Sequence, residues 1–277
     1  MRENTKAAAA AFQFLSRFPV KTQLEFTPEL MTRSTLFYPV VGLCIGACVF
    51  MAAWLSGFLL PPAPSAVLVL TIWVWLTGGL HLDGWMDSAD ALLSYRSRER
   101  MLEIMKDSRV GAMGVIACVL LLMLKATLLY SLMGQPFLMG AAVLPFLWSR
   151  SFMVYAMVKY KRARAGEGLA GMFAGVQNEL LYKVGAVTLF LSTISCGVFL
   201  LAAYAVDGPQ FTWSLNMGVV LSAFFVIPLC IWACGKWAAD RISNRLGGLT
   251  GDIYGALNEG LEAVGLLILV ILSTVMH

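Results

Sequence analysis

Charge is scarce in this sequence. Lysine, arginine, aspartate and glutamate make up 13% of the 277 residues, where a soluble domain carries roughly 25%. That scarcity excludes an ordinary soluble fold. With a mean hydropathy of +0.77, it indicates a polytopic membrane protein. Histidine is nearly absent as well: the chain has His81 and His277 and no others. A histidine-rich metal centre is therefore excluded, and the cysteine pairs Cys44/Cys48 and Cys230/Cys234 have no histidine near them in sequence. All six cysteines, with Cys118 and Cys196, fall inside apolar runs, where they serve as small buried hydrophobes and indicate no disulfide framework. No internal repeat is visible, which argues against an inverted-repeat transporter. The first residues lack the long apolar core and cleavage site of a secretory signal, because Gln13, Ser16 and Arg17 interrupt the run and Pro19 ends it. Residues 1–34 read instead as an amphipathic helix at the membrane interface, with Arg17, Lys21 and Arg33 near lipid headgroups or a substrate phosphate.

Long apolar runs are what the sequence does have. A span needs about 20 residues to cross a ~30 Å hydrocarbon core. Runs at 35–59, 65–81, 111–133, 137–158, 184–206, 215–235 and 255–276 predict an all-α transmembrane bundle of about seven spans, a single integral membrane domain over 1–277. Gly42 and Gly46 form a small-xxx-small pair that lets a second helix approach. The positive charges are sorted. The N-terminal segment carries five, the 82–110 loop five, the 159–183 loop five and the 236–254 loop three, eighteen of the twenty in the chain. The alternate loops 60–64, 134–136 and 207–214 carry none. The positive-inside rule places the N-terminus and all the charged loops in the cytoplasm, and seven spans would leave the C-terminus outside. The net charge of +4 thus reports loop placement rather than a nucleic-acid partner. The two other cations, Lys125 and Arg150, sit within spans and should face the bundle interior with partners.

Four polar segments carry the chemistry, all on the predicted cytoplasmic side. Asp83, Asp87 and Asp90 stand at i, i+4 and i+7, one face of a helix. Three like charges on one stripe call for a hard divalent cation, and Mg²⁺ takes oxygen ligands while bridging to phosphates. Lys106, Asp107 and Arg109 precede Gly111 and Gly114, which suits a phosphate held near a helix start. The run from Lys161 through Arg162 and Arg164 to Gly166, Glu167 and Gly168 fits either a headgroup-binding loop or a mobile phosphate clamp. The fourth segment follows Gly247, Gly248 and Gly251 with Asp252, Asn258 and Glu259, the last two pointing into the bundle. Together these are parts for phosphoryl transfer: a metal on a diphosphate, cations for the leaving phosphate and a base for an attacking hydroxyl.

The runs GGLHLDGWMDSADAL (78–92) and KDSRVGAMG (106–114) resemble the signature of the cobalamin synthase family, the adenosylcobinamide-GDP ribazoletransferases. FLSRFPV (14–20), RSTLFYPVVG (33–42) and GDIYGALNE (251–259) match further blocks, so the resemblance covers essentially the whole chain. It implies a Mg²⁺-dependent enzyme of the bacterial inner membrane. That enzyme joins adenosylcobinamide-GDP to α-ribazole, or its 5′-phosphate, releasing GMP and giving adenosylcobalamin, or its 5′-phosphate. In that reading Asp83, Asp87 and Asp90 hold Mg²⁺, and His81 or Asp107 is the base. Lys106 and Arg109, with Arg162 and Arg164, bind phosphates, and Asp252, Asn258 and Glu259 line the corrinoid or ribazole site. Membrane lipid is an expected partner; a homo-oligomer and docking of other enzymes of the same pathway remain open. Two rivals are weaker. A CDP-alcohol phosphotransferase would carry Ala-Arg after its Asp-Gly and split its carboxylates over two helices. A transporter would place its polar groups near the midplane.

Overall fold

The computed structural model describes residues 3–133, 141–164, 169–173, 175–207 and 213–275. The connection at 134–136, the clamp residues Gly166, Glu167 and Gly168, and His277 lie outside the described residues. The described chain is helical: α1 (Glu3–Leu15), α2 (Pro28–Ser34), α3 (Tyr38–Ser56), α4 (Pro62–Thr77), α5 (Leu80–Leu92), α6 (Arg98–Ile104), α7 (Ala112–Leu132), α8 (Val143–Lys159), α9 (Asn178–Asp207), α10 (Trp213–Leu246) and α11 (Gly251–Val275). Among the described residues the sole β-pairing is an isolated parallel bridge between Arg162 and Leu249.

Five helical stretches are long and apolar enough to cross a membrane: Pro28–Ser56, Ala112–Leu132, Asn178–Leu201, Val220–Leu246 and Gly251–Val275. A sixth arises if α4 and α5 count as one broken span, although they meet at 92°. Among the described residues this gives five or six candidate spans, which does not confirm the expected count of about seven. The difference lies in two runs. The run at 137–158 holds α8, a 17-residue helix buried along most of its length, packed by α3, α9, α10 and α11. Its apolar residues are covered by these protein neighbours. The run at 65–81 stops at Thr77, where Gly78 and Gly79 take φ +67° and +75°. Glycine reaches that left-handed region without a Cβ clash, so two in succession end α4 and turn the chain. Arg17 covers the corner: its backbone N–H donates to the Leu76 carbonyl at 2.7 Å, and its side chain lies where a Gly78 Cβ would be.

Two other expectations change in form. The 236–254 segment is mostly helix, since α10 runs on to Leu246. The N-terminal helix exists, but Ala7, Ala10, Ala11 and Leu15 are buried against α2, α3 and the short 3-10 turn Thr35–Phe37, so protein covers its apolar stripe. The small-residue pair behaves as expected, with Gly42 and Gly46 facing Phe146 of α8.

At the polar end of the bundle the strands of connection tie together. Leu249 N–H donates to the Lys161 carbonyl at 2.8 Å, and Ala163 N–H donates to the Leu249 carbonyl at 2.9 Å. An Arg164 N–H donates to the Leu102 carbonyl. These bonds gather residues 98–105, 160–164 and 247–252 beside α5.

Candidate active site

The aspartate stripe forms because the α4–α5 turn starts a fresh helix at Leu80, three residues before Asp83. Asp83, Asp87 and Asp90 then follow at helical spacing, while His81, Gly84, Ser88 and Ala91 are buried on the other side of α5. That buried face packs on α11. Gly84 is the contact point: a Cβ there would stand 2.6 Å from the Asp252 carbonyl oxygen. The close approach brings Asp252, in the first turn of α11, into electrostatic reach of Asp83 and Asp87. Arg164 attracts Asp252, and the Thr250 hydroxyl lies 3.4 Å from its carboxylate. A cavity of about 120 Å³ opens here, lined by Phe14, His81, Asp83, Asp252, Tyr254 and Phe173 among others. Substituting Gly84 by Ala should push α5 off α11, costing about 1–3 kcal/mol as overpacking does. Thermal unfolding should show that loss, and activity should fall further than stability because Asp83 and Asp252 separate.

The three carboxylates of the stripe are not equivalently placed. Asp90 accepts the Gly111 N–H and the Gly114 N–H, each at 2.7 Å. It therefore caps the first turn of α7, where the helix leaves N–H groups unpaired. The anion at this helix start, where the sequence suggested a phosphate, is the protein's own Asp90 carboxylate. Asp90→Ala should cost roughly 1–2 kcal/mol and should raise amide exchange at residues 111–114 above that elsewhere in α7.

Asp83, Asp87 and Asp252 offer hard oxygen donors, with Arg164 balancing part of their charge. Among the described residues no three His, Cys, Asp or Glu side chains converge closely enough to hold an ion by themselves. Any Mg²⁺ held here would take one or two of these carboxylates, with substrate oxygens and water completing its shell.

The two candidate bases are placed differently. Asp107 is exposed and forked onto Arg109, accepting from Nη2 at 2.7 Å, Nε at 3.0 Å and the backbone N–H at 3.0 Å. Those bonds hold its carboxyl down at about 2, so it stays ionised above that pH and is a feeble proton acceptor. Arg109 and Asp107 form a pair outside the cavity. Lys106 N–H closes the preceding turn onto Glu103. Arg162 bridges to Leu249 and lies near Tyr254, which lines the cavity. His81 is buried, with Nδ1 2.9 Å from Asn258 Nδ2.

Asn258 and Glu259 do point into the bundle, but into a charge network rather than the cavity. Lys125 Nζ donates to Glu259 at 2.5 Å and to Glu262 at 3.1 Å. Arg150 Nη1 donates to Glu262 at 2.7 Å. Lys125 also lies 4.0 Å from the Trp73 ring centroid. Two cations meet two carboxylates, so the buried set is neutral overall. Glu262 is the residue that sequence reading passed over. Its signal was present: a second carboxylate three residues after Glu259 in the same apolar helix, matching two intramembrane cations that needed partners.

The cobalamin-5-phosphate synthase family profile matches residues 7–270. Three curated relatives, all named adenosylcobinamide-GDP ribazoletransferase, align along nearly their full length. The Brevibacillus brevis protein is 36% identical over 94% of this chain and 96% of its own. The Clostridium botulinum protein is 33% identical over 94% and 95%. The Pseudomonas fluorescens protein is 37% identical over 93% and 96%. No solved structure matches the chain at a significant level.

Proposed function

The chain belongs to the cobalamin-5-phosphate synthase family, and from that premise we propose the reaction it performs. It is a transferase of cobalamin biosynthesis with helices long and apolar enough to lie in a membrane. The proposed donor is adenosylcobinamide-GDP. The proposed acceptor is α-ribazole or its 5′-phosphate, and the products are adenosylcobalamin, or its 5′-phosphate, and GMP. The observation that carries this reading is the juxtaposition of Asp83 and Asp252 at one small cavity, with Asp87 and Arg164 in electrostatic reach of them. The positive-inside sorting favours the cytoplasmic face of the inner membrane for that cavity.

Asp83 and Asp87 would hold Mg²⁺ against the diphosphate. When bound, Mg²⁺ neutralises phosphate charge and polarises the phosphorus–oxygen bonds. The cavity of about 120 Å³ admits phosphoryl groups but not a corrin ring, so the macrocycle stays outside with its phosphate inserted. The acceptor 3′-hydroxyl oxygen bonds to the cobinamide-side phosphorus as the bond from that phosphorus to the GMP oxygen breaks. Asp252 takes the hydroxyl proton in this scheme, because Arg109 leaves Asp107 too weak a base and outside the cavity, and His81 Nδ1 is turned to Asn258. Arg162 and Arg164, near the cavity-lining Tyr254 and Asp252 respectively, offset charge growing on the departing GMP. The test is GMP release by the purified protein in lipid, from adenosylcobinamide-GDP with each acceptor, with Mg²⁺ and with chelator. Release in neither case, or equal release in both, would overturn the respective part of the proposal.

A further inference from the structure

Asn258 holds the key to what His81 can do. Its amide nitrogen lies 2.9 Å from His81 Nδ1 and 3.2 Å from Glu262 Oε1. The Glu262 carboxylate is paired with both Arg150 and Lys125, so it is ionised and can only accept. The Asn258 group facing it must therefore be the NH₂, not the carbonyl. The same NH₂ faces His81, which makes Nδ1 the accepting nitrogen. A neutral imidazole with Nδ1 accepting carries its hydrogen on Nε2. Among the described residues Nε2 takes no hydrogen-bond partner, although His81 borders the cavity with Asp83 and Asp252.

We propose that Asn258 is a positioning residue: oriented by Glu262, it fixes His81 with its Nε2–H toward the cavity, where that N–H donates to a phosphoryl oxygen of the bound diphosphate. This rests on the transferase reading above and deepens it, since it turns His81 from a candidate base into a donor. A fixed N–H in a dry site stabilises charge growing on phosphoryl oxygen in the transition state without reorganising. The Lys125–Glu262–Arg150 cluster then acts on the chemistry through two relays, Asn258 and His81, without touching substrate.

The two-histidine composition makes the test direct. In the full chain with His277→Ala, ¹⁵N-labelled histidine reports the His81 ring alone. Long-range ¹H–¹⁵N correlation should show Nδ1 unprotonated and Nε2 protonated, and inorganic pyrophosphate with Mg²⁺ should shift the Nε2–H signal. Asn258→Leu, close in size and uncharged, should abolish the single tautomer. It should lower kcat by about 10–100-fold with KM for adenosylcobinamide-GDP little changed. Asn258→Asp should reverse the tautomer, placing hydrogen on Nδ1. A wild-type ring protonated on Nδ1, no response to pyrophosphate, or an Asn258→Leu protein with wild-type spectrum and kcat would each overturn the proposal. The ring spectrum is read without turnover, so a wild-type protein that releases no GMP would defeat the transferase reading separately.

Discussion

Replacing Asp83 by Asn should lower GMP release by about 10³-fold while leaving the protein folded. The magnitude follows from the part assigned to it. A metal clamp on a phosphoryl oxygen supplies several kcal/mol of transition-state stabilisation, and each 1.36 kcal/mol is about a factor of ten in rate. Asparagine keeps the shape of the side chain and removes its charge. The fold should tolerate it because the Asp83 carboxylate makes no hydrogen bond among the described residues, while its backbone N–H, which asparagine keeps, closes the first turn onto Gly79. The substitution also relieves repulsion toward Asp87 and Asp252, so unfolding temperature should hold or rise. Asp90→Asn supplies the contrast. Its loss should fall mainly on α7, because both Asp90 oxygens already serve Gly111 and Gly114. Titrating Mg²⁺ against GMP release separates the two. Asp83→Asn should shift or abolish the metal response, whereas Asp90→Asn should leave its midpoint near that of wild type. An Asp83→Asn enzyme with wild-type turnover and metal response would remove Asp83 from the metal.

Much of this arrangement is legible in the chain, for reasons that also mark the limits. The i, i+4, i+7 spacing of the aspartates is local, and a helix converts it into a stripe wherever it forms. The need of Lys125 and Arg150 for partners is equally local, because charge within an apolar run is costly. What those charges meet is not local. Glu262 serves both cations because α7, α8 and α11 pack together, and nothing within any one run states that adjacency. Asp90 shows the same limit. Its spacing groups it with Asp83 and Asp87, but the approach of α7 to α5 commits its oxygens to Gly111 and Gly114. The span count meets a further physical limit. Hydropathy does not distinguish a helix apolar for lipid from one apolar for protein, and α8 is the second kind.

The largest loss of stability should come from Glu262→Leu. Glu262 is fully buried and neutralises Arg150 while sharing Lys125 with Glu259. Once it is gone, Lys125 keeps Glu259, but among the described residues Arg150 keeps only the Phe146 carbonyl at 3.2 Å, its Nε and Nη2 having no partner there. Breaking a buried pair in this way costs roughly 3–5 kcal/mol, because a buried charge is left uncompensated. Glu259→Gln should cost less, since Lys125 retains Glu262 and the Arg150 bond is untouched. The cause can be separated from simple loss of packing by removing the other charge too. Arg150→Met with Glu262→Leu should recover most of the single-variant loss, as neutral replacements of buried pairs often do. Unfolding midpoints of the two single variants and the double, measured in one detergent or lipid, give the coupling directly. A double variant no more stable than Glu262→Leu alone would mean that Arg150 does not need Glu262, and that packing, not charge, holds α8 to α11. Added salt should leave the coupling nearly unchanged, because ions do not screen a pair that solvent does not reach.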